Sequence, residues 1–252
     1  MTDPALIAAL CIPADARVNR RVPKKLLLEQ GAPTAADRRR IQDGIDEAYW
    51  VAALKPTNIG VPAFRDETRE YLEIAVVAVA LRQDAKPARL IELIHRAIPY
   101  PLVLALTHSG ETTLSLAHKR RSLGETGQVV IETVHRSAPM PSHGQGPDGR
   151  AFLANLALST LPTQHMFALY QGWIDRLTAW EAASVTGAFT LPDSAERAMA
   201  LREGLDARAR IQRDIAALRA MAERENQINR RAELNIEVKR LETELSAIEK
   251  RL

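Results

Sequence analysis

Three histidines in this chain are each followed directly by a basic residue: His95-Arg96, His118-Lys119 and His135-Arg136. An imidazole beside a cation suits chemistry at phosphate. Two such histidines can cleave RNA without a metal, one as general base and the other as general acid, because an unperturbed pKa near ~6.5 serves both roles. His95, His118 and Lys119 are the candidate catalytic set on this reading. The competing reading is structural. His118 and His135 share strand parity with apolar neighbours, as hydrogen-bonded residues at a core border do, and no spacing forces the histidines together.

Other chemistries lack their parts. A magnesium-dependent nuclease needs two or more carboxylates near a lysine on adjacent strands. The chain offers Glu73, Glu111 and Glu132 singly, with no Asp-x(n)-Glu-x-Lys pattern. There is no glycine-rich phosphate loop followed by Lys-Ser/Thr, no serine nucleophile elbow, and no His pair at i,i+4 with a Glu between. Cys11 is the sole cysteine, which removes both an internal disulfide and a Cys-based zinc site. No metal and no cofactor is expected.

Binding has better support. The net charge is only +3, but the basic residues are clustered, and clustering governs phosphate contact more than the total does. The clusters are Arg20, Arg21, Lys24 and Lys25, then Arg38-Arg39-Arg40, then Lys119-Arg120-Arg121, with Arg96 between the last two. Any one of them reads equally well as a solvated face. Together they favour an anionic partner, DNA or RNA, bound through Arg38, Arg39, Arg40, Arg96, Lys119, Arg120 and Arg121. Aromatics make up 4% of the chain, too few for repeated base-stacking platforms.

The elements that must position these residues can be read from period and punctuation. Thr34 is a helix N-cap, and Ile41, Ile45, Ala48, Tyr49 and Ala52 recur at helical spacing as far as Lys55-Pro56, which predicts one helix over 35–54. Residues 73–81 are apolar on both parities after Glu73, the mark of a central strand covered on both faces. A helix from Pro87 buries Leu90, Ile91, Ile94 and Ile98 and stops at Pro99, and PLVLALT returns as a second strand. These three elements form a β-α-β crossover with parallel strands.

Ser109-Gly110 turns a hairpin into TTLSLAHK, which places His118 beside Pro101 and Leu102. Residues 128–136 give a fourth strand with Val129, Ile131, Thr133 and His135 on one parity, and 137–150 is a Pro/Gly-rich surface loop. By this register His95, Arg96, His118 and Lys119 are expected in one surface region at an end of the sheet. A helix over 163–186, capped by Gly187, carries Met166, Phe167, Tyr170, Trp173, Ile174, Leu177 and Trp180, a stripe that reads as core.

After Leu191-Pro192-Asp193 the composition shifts to Ala, Glu, Arg and Leu. Leu234, Val238, Leu241, Leu245 and Ile248 recur in alternating steps of four and three, a heptad seam predicted to bind a partner or a second copy. Ile211, Ile215, Leu218 and Ala222 keep that spacing in another phase, so two helices folding back near Asn226 and Asn229 are preferred over one continuous dimerising helix. The fold class is therefore α/β (α+β), a mixed β-α-β-β-β sheet with packed helices followed by a C-terminal coiled-coil hairpin. Its domains are a basic α/β domain with an N-terminal helical segment over 1–150, helices packing on it over 151–190, and the coiled coil over 191–252.

Ala48-Tyr49-Trp50, Leu54-Lys55-Pro56, HRAIPYP at 95–101, LAHKR at 116–120 and the ending ENQINRRAELNIEVKRLE together resemble the bacterial and archaeal domain of unknown function 4391 family, from about Val22 to the C-terminus. The resemblance implies no catalytic residue. It implies the company of DNA helicases and DNA methyltransferases in gene clusters of restriction or anti-phage type. The function expected is a non-catalytic interaction subunit of such a system, with a small His/Lys/Arg nuclease as the alternative. Asp3 and Pro4 ahead of the short apolar run Ala5 to Ile12, and the absence of any stretch of transmembrane length, lead to the expectation of a cytoplasmic protein with no membrane partner.

Overall fold

The computed structural model describes residues 4–122, 129–141 and 146–252. They divide into two compact units, Met1–Leu177 and Thr178–Leu252. In chain order the first unit contains α1 (Pro4–Ala9), β1 (Arg17–Arg21), α2 (Lys24–Gly31), α3 (Ala35–Gly44), β2 (Ile45–Leu54), α4 (Pro56–Ile59), β3 (Phe64–Arg65), β4 (Glu70–Tyr71), β5 (Ile74–Leu81), α5 (Pro87–Ala97), β6 (Leu102–His108), β7 (Glu111–Arg121), β8 (Val129–Arg136), β9 (Met140–Pro141) and α6 (Gly146–Asn155). α7 (Met166–Thr186) crosses the division, and α8 (Ala195–Arg224) and α9 (Ile228–Glu249) lie in the second unit.

The main sheet runs in the order β1-β2-β5-β6-β7-β8, with β9 added to β7, and β3 and β4 pair separately. Only β5 and β6 are parallel, as the crossover through α5 requires. Every residue of β5 is buried, which agrees with its apolar character on both parities. One face of the sheet carries Ala75, Val77, Val79, Leu102, Leu104 and Leu106 against Leu90, Ile91, Ile94 and Ile98 of the α5 segment, with Leu27 of α2 and Ile41 of α3. On the other face Tyr170 of α7 is fully buried, and its hydroxyl reaches the backbone of Leu102 and Ala117.

The helix predicted over 35–54 is half helix and half strand. Thr34 caps it as expected, its Oγ1 accepting from Asp37 N at 3.1 Å. Helix stops at Gly44, where a Cβ would meet Leu90 Cδ1 at 2.9 Å, and Ile45–Leu54 runs as β2 beside β5. Helical spacing and burial of Ile45, Ala48 and Ala52 coexist in this strand because its register with β5 shifts twice, so that its buried positions are not strictly alternate. The fully buried β5 demands a hydrogen-bonding neighbour, and Tyr49-Trp50-Val51 suits one.

Three further expectations change. β1 and α2 stand ahead of α3, where an N-terminal helical segment alone is expected. β8 has no single buried parity: Val129 is exposed, and Val134 is the residue that packs against the core. This is an edge strand whose pairing with β7 shifts register between Ala117 and Lys119. Finally, the segment 137–150 contains β9, which pairs with Glu111 and Thr112, and the start of α6 at Gly146. Residues 142–145 of that predicted loop lie outside the described residues.

In the second unit α8 and α9 form an antiparallel helical hairpin whose turn holds Asn226. Ile211 and Ile215 pack against Val238 and Leu241, flanked by Leu218, Leu245 and Ile248. Arg208–Glu249 at 2.8 Å and Arg219–Glu242 at 2.6 Å tie the two helices at two levels. Exposed pairs of this kind contribute only about 0–1 kcal/mol each, so the apolar seam is the larger part of the hairpin's cohesion.

Candidate functional site

Pro99 closes α5, and a helix end leaves its last carbonyls without intrahelical donors. Just past that end the side chain of Lys119, reaching from β7, holds the connection to β6: its Nζ donates to the carbonyl of the C-cap Ile98 and, at 2.6 Å, to Tyr100 O. A cation at a helix C-terminus is also favoured by the helix dipole. Lys119 is 4% exposed, and burial pulls its pKa down to about 7. An ammonium has three donors, of which two are spent on these carbonyls.

Beside it opens a cavity of about 600 Å³, framed by the Pro99–Pro101 turn, by β4 and the two residues after it, and by the end of β7 with the start of β8. Lys119, Arg120 and Arg121 bring positive charge to it, and Glu70 and Glu73 negative charge. The carboxylates are already paired. Glu70 is held by Arg121 at 2.5 Å and by Arg65, contacts that keep its carboxyl below the usual range, and Glu73 pairs with Lys55 at 3.2 Å. Among the described residues no carboxylate pairs with Lys119 or Arg120, and cations outnumber carboxylates in the described lining. Leu72, Pro99, Pro101 and Val129 give it apolar walls, and Tyr100 is its one aromatic among the described residues. Tyr100 is 43% exposed, and its ring stands edge-on to Trp50 with centroids 6.2 Å apart.

The three His-basic pairs do not converge. Neighbouring residues of a strand point to opposite faces, so His118 and Lys119 part company at once. His95 shares the α5 face with Lys119. It is 1% exposed, its Nε2 lies 3.0 Å from Ser115 Oγ, and the Ser115 hydroxyl donates to His135 O at 3.1 Å. That network assigns the proton of His95 to Nε2 and leaves Nδ1 as a buried acceptor without a partner. Burial, and then the charge of Lys119, depress its pKa to about 3.

His118 lies on the α7 face. Its Nδ1 accepts from the Tyr71 hydroxyl, its Nε2 donates to Gln171 Oε1 at 2.8 Å, and Phe167 stacks on its ring at 4.9 Å. Burial lowers its pKa, and both nitrogens are occupied by protein. The sheet therefore stands between the two imidazoles, and the general acid and general base of a paired-imidazole nuclease do not face a common point. The expected register does hold as far as Leu104 opposite Ser115. Beyond it the Tyr170 hydroxyl bridges the strands, donating to Leu102 O at 2.7 Å and accepting from Ala117 N at 2.9 Å.

Of the predicted anion contacts, Lys119, Arg120 and Arg121 line the cleft, while Arg96 is exposed in the last turn of α5 and does not. Arg40 is drawn to the buried carboxylate of Asp37 at 3.1 Å, alongside Arg89 at 3.0 Å. Arg89, foremost, and Thr34 and Arg40 hold Asp37 down to a pKa of about 2. Arg38 and Arg39 remain exposed. Since Arg89 sits in the first turn of α5 and the cleft at its end, the Arg38–Arg40 cluster and the cleft are roughly a helix length apart, ~16 Å. They are two surfaces, not one. Glu132 pairs with Arg69 at 2.8 Å, and among the described residues no three His, Cys, Asp or Glu stand together as metal ligands would.

In the second unit the predicted partner seam is closed within the chain. Val238 and Leu241 are buried against α8, and Leu234, Leu245 and Ile248 are half-buried along the same face. The large apolar side chains left exposed on the hairpin include Met221, Ile228 and Ile236. Tyr100, Trp50 and Glu70 are not singled out as site residues by the sequence, and Glu73 enters there only as a lone carboxylate. The one available signal was the exposed-type aromatic between two prolines in HRAIPYP.

A family model described as a domain of unknown function (DUF4391) matches residues 10–245. No curated protein and no solved structure matches.

Proposed function

The chain belongs to the family described as domain of unknown function (DUF4391), and from the chemistry of its cleft we propose that it is a non-catalytic binding component that holds a phosphate-bearing ligand, in the first instance nucleic acid. The observation that carries this reading is the excess of basic over acidic side chains among the described residues that line the cleft. Lys119 and Arg120 line a cavity whose carboxylates are already neutralised by other cations. Lys119 is pre-positioned by two main-chain carbonyls, which removes most of the entropy cost of ordering a long side chain at the moment of binding.

The rival nuclease reading keeps its three residues but not their geometry, because His95 is buried and His118 is engaged on the other face. A protein partner is part of the same proposal. The family resemblance suggests a helicase or methyltransferase of a DNA-processing or anti-phage system, and the cytoplasm as the place. No helix among the described residues is long and apolar enough to cross a membrane. With the seam closed, the outer hairpin surface around Ile228 and Ile236, 74% and 68% exposed, is what remains for such a partner or a second copy.

The test is anisotropy of labelled single-stranded DNA and RNA across a salt series. Binding at ~50 mM salt whose log-log slope loses about 0.7 on Arg120→Ala supports the cleft. Binding that is indifferent to Arg120→Ala while Arg38→Ala/Arg39→Ala abolishes it would move the site to α3.

A further inference from the structure

The cleft has room and a ring for one nucleotide unit of a nucleic acid. Sequence-tolerant strand binding needs successive aromatic faces along a basic groove, and this cavity offers one ring. Its volume of about 600 Å³ lies in the range of sites that enclose a single small ligand.

We propose that the cleft binds one nucleotide, free or as a strand end, with its phosphate at the basic end bordered by Lys119, Arg120 and Arg121 and its base against the ring of Tyr100. This rests on the reading of the cleft as an anion site. The charges and surfaces divide in the way a nucleotide does. Lys119, Arg120 and Arg121 all border the cavity at the end of β7, and Lys119 Nζ, held by Ile98 O and Tyr100 O, has a third donor left. Tyr100, Leu72, Pro99 and Pro101 form an apolar wall that suits a flat ring better than a sugar phosphate alone. The Tyr100 ring is set from behind by Trp50 at an interplanar angle of 76°, so one edge is fixed while 43% of the residue stays exposed. Glu70 and Glu73 are acceptors for ribose hydroxyls or base amines, their charge being met by Arg65, Arg121 and Lys55. Preorganised rings of this kind give contact area at low entropy cost.

The experiment is isothermal titration of the full chain at pH 7 with three probes: inorganic phosphate, adenosine and adenosine monophosphate. The monophosphate should bind one to one and about tenfold or more tightly than either half alone. Tyr100→Ala should reduce its affinity to that of inorganic phosphate without changing phosphate binding, Tyr100→Phe should restore it, and Arg120→Ala should weaken monophosphate and phosphate together. Equal affinity for phosphate and monophosphate, with no effect of Tyr100→Ala, overturns the nucleotide assignment and leaves the anion site standing. If neither phosphate nor monophosphate binds at low salt, the nucleotide assignment and the anion reading of this cleft both fall.

Discussion

Lys119 Nζ donates to the carbonyl oxygen of Tyr100 at 2.6 Å, so the buried cation of β7 fixes the backbone of the residue whose ring edges the cleft. Charge and ring are thereby a single rigid unit.

Ligand binding should take up a proton. Free Lys119 titrates at about 7, below its ordinary value because of burial, and an anion beside it favours the charged form. Above pH 7 the site must acquire that proton on binding. Affinity for adenosine monophosphate should therefore fall from pH 7 to pH 9, by at most about tenfold per pH unit, since the phosphate's own second ionisation lies near 6. Calorimetry in buffers of different ionisation enthalpy reads the proton count directly, and Lys119→Arg should bring it to zero.

Folding stability should rise with pH through two separate windows. His95 has a folded pKa of about 3, below its unfolded value, so its contribution is present above pH 6.5 and is lost as pH falls toward 3. The loss is on the order of 5 kcal/mol over that window. Lys119, lowered to about 7, imposes a penalty below that pH which is relieved as pH approaches 10.5. Urea midpoints from pH 4 to 10 check both, and His95→Leu should flatten the acid limb while leaving the alkaline one.

Removing one hydroxyl should loosen the junction of β6 and β7. In Tyr170→Phe the amide of Ala117 and the carbonyl of Leu102 lose the group that bridges them in a buried setting. The cost should be about 1–3 kcal/mol, read as a shift in urea midpoint with unchanged m-value. A cost near zero would mean that the strands close up into a direct ladder bond.

The hairpin seam and the hairpin surface should separate by experiment. Leu241→Glu puts a charge into the packed face of α8 and α9 and should cost on the order of 2–4 kcal/mol, seen as lost helicity in far-ultraviolet circular dichroism. Ile236→Glu, at an exposed position, should leave helicity intact. If a partner or second copy binds the outer face, Ile236→Glu is the variant that weakens it, by sedimentation or co-purification, without unfolding the hairpin.

The sequence by itself determined the β5-α5-β6 crossover, the hairpin at Ser109-Gly110, the helix ending at Gly187 and the paired C-terminal helices, because in each the local period and the breaking residues agree with the packing. Strand alternation between His118 and Lys119 was also local information, and it already forbade both from serving one face. Tertiary structure alone decided that 45–54 is strand, because the unpaired edge of β5 outweighs a helical spacing that the strand's register shifts also satisfy. It decided the cleft for the same kind of reason. Glu70, Tyr100 and Lys119 are far apart in sequence, and their meeting depends on a helix end, a strand pair and a bulged strand arriving together. A periodic pattern fixes which side of an element a residue takes, but only the packing of distant elements fixes what stands opposite it.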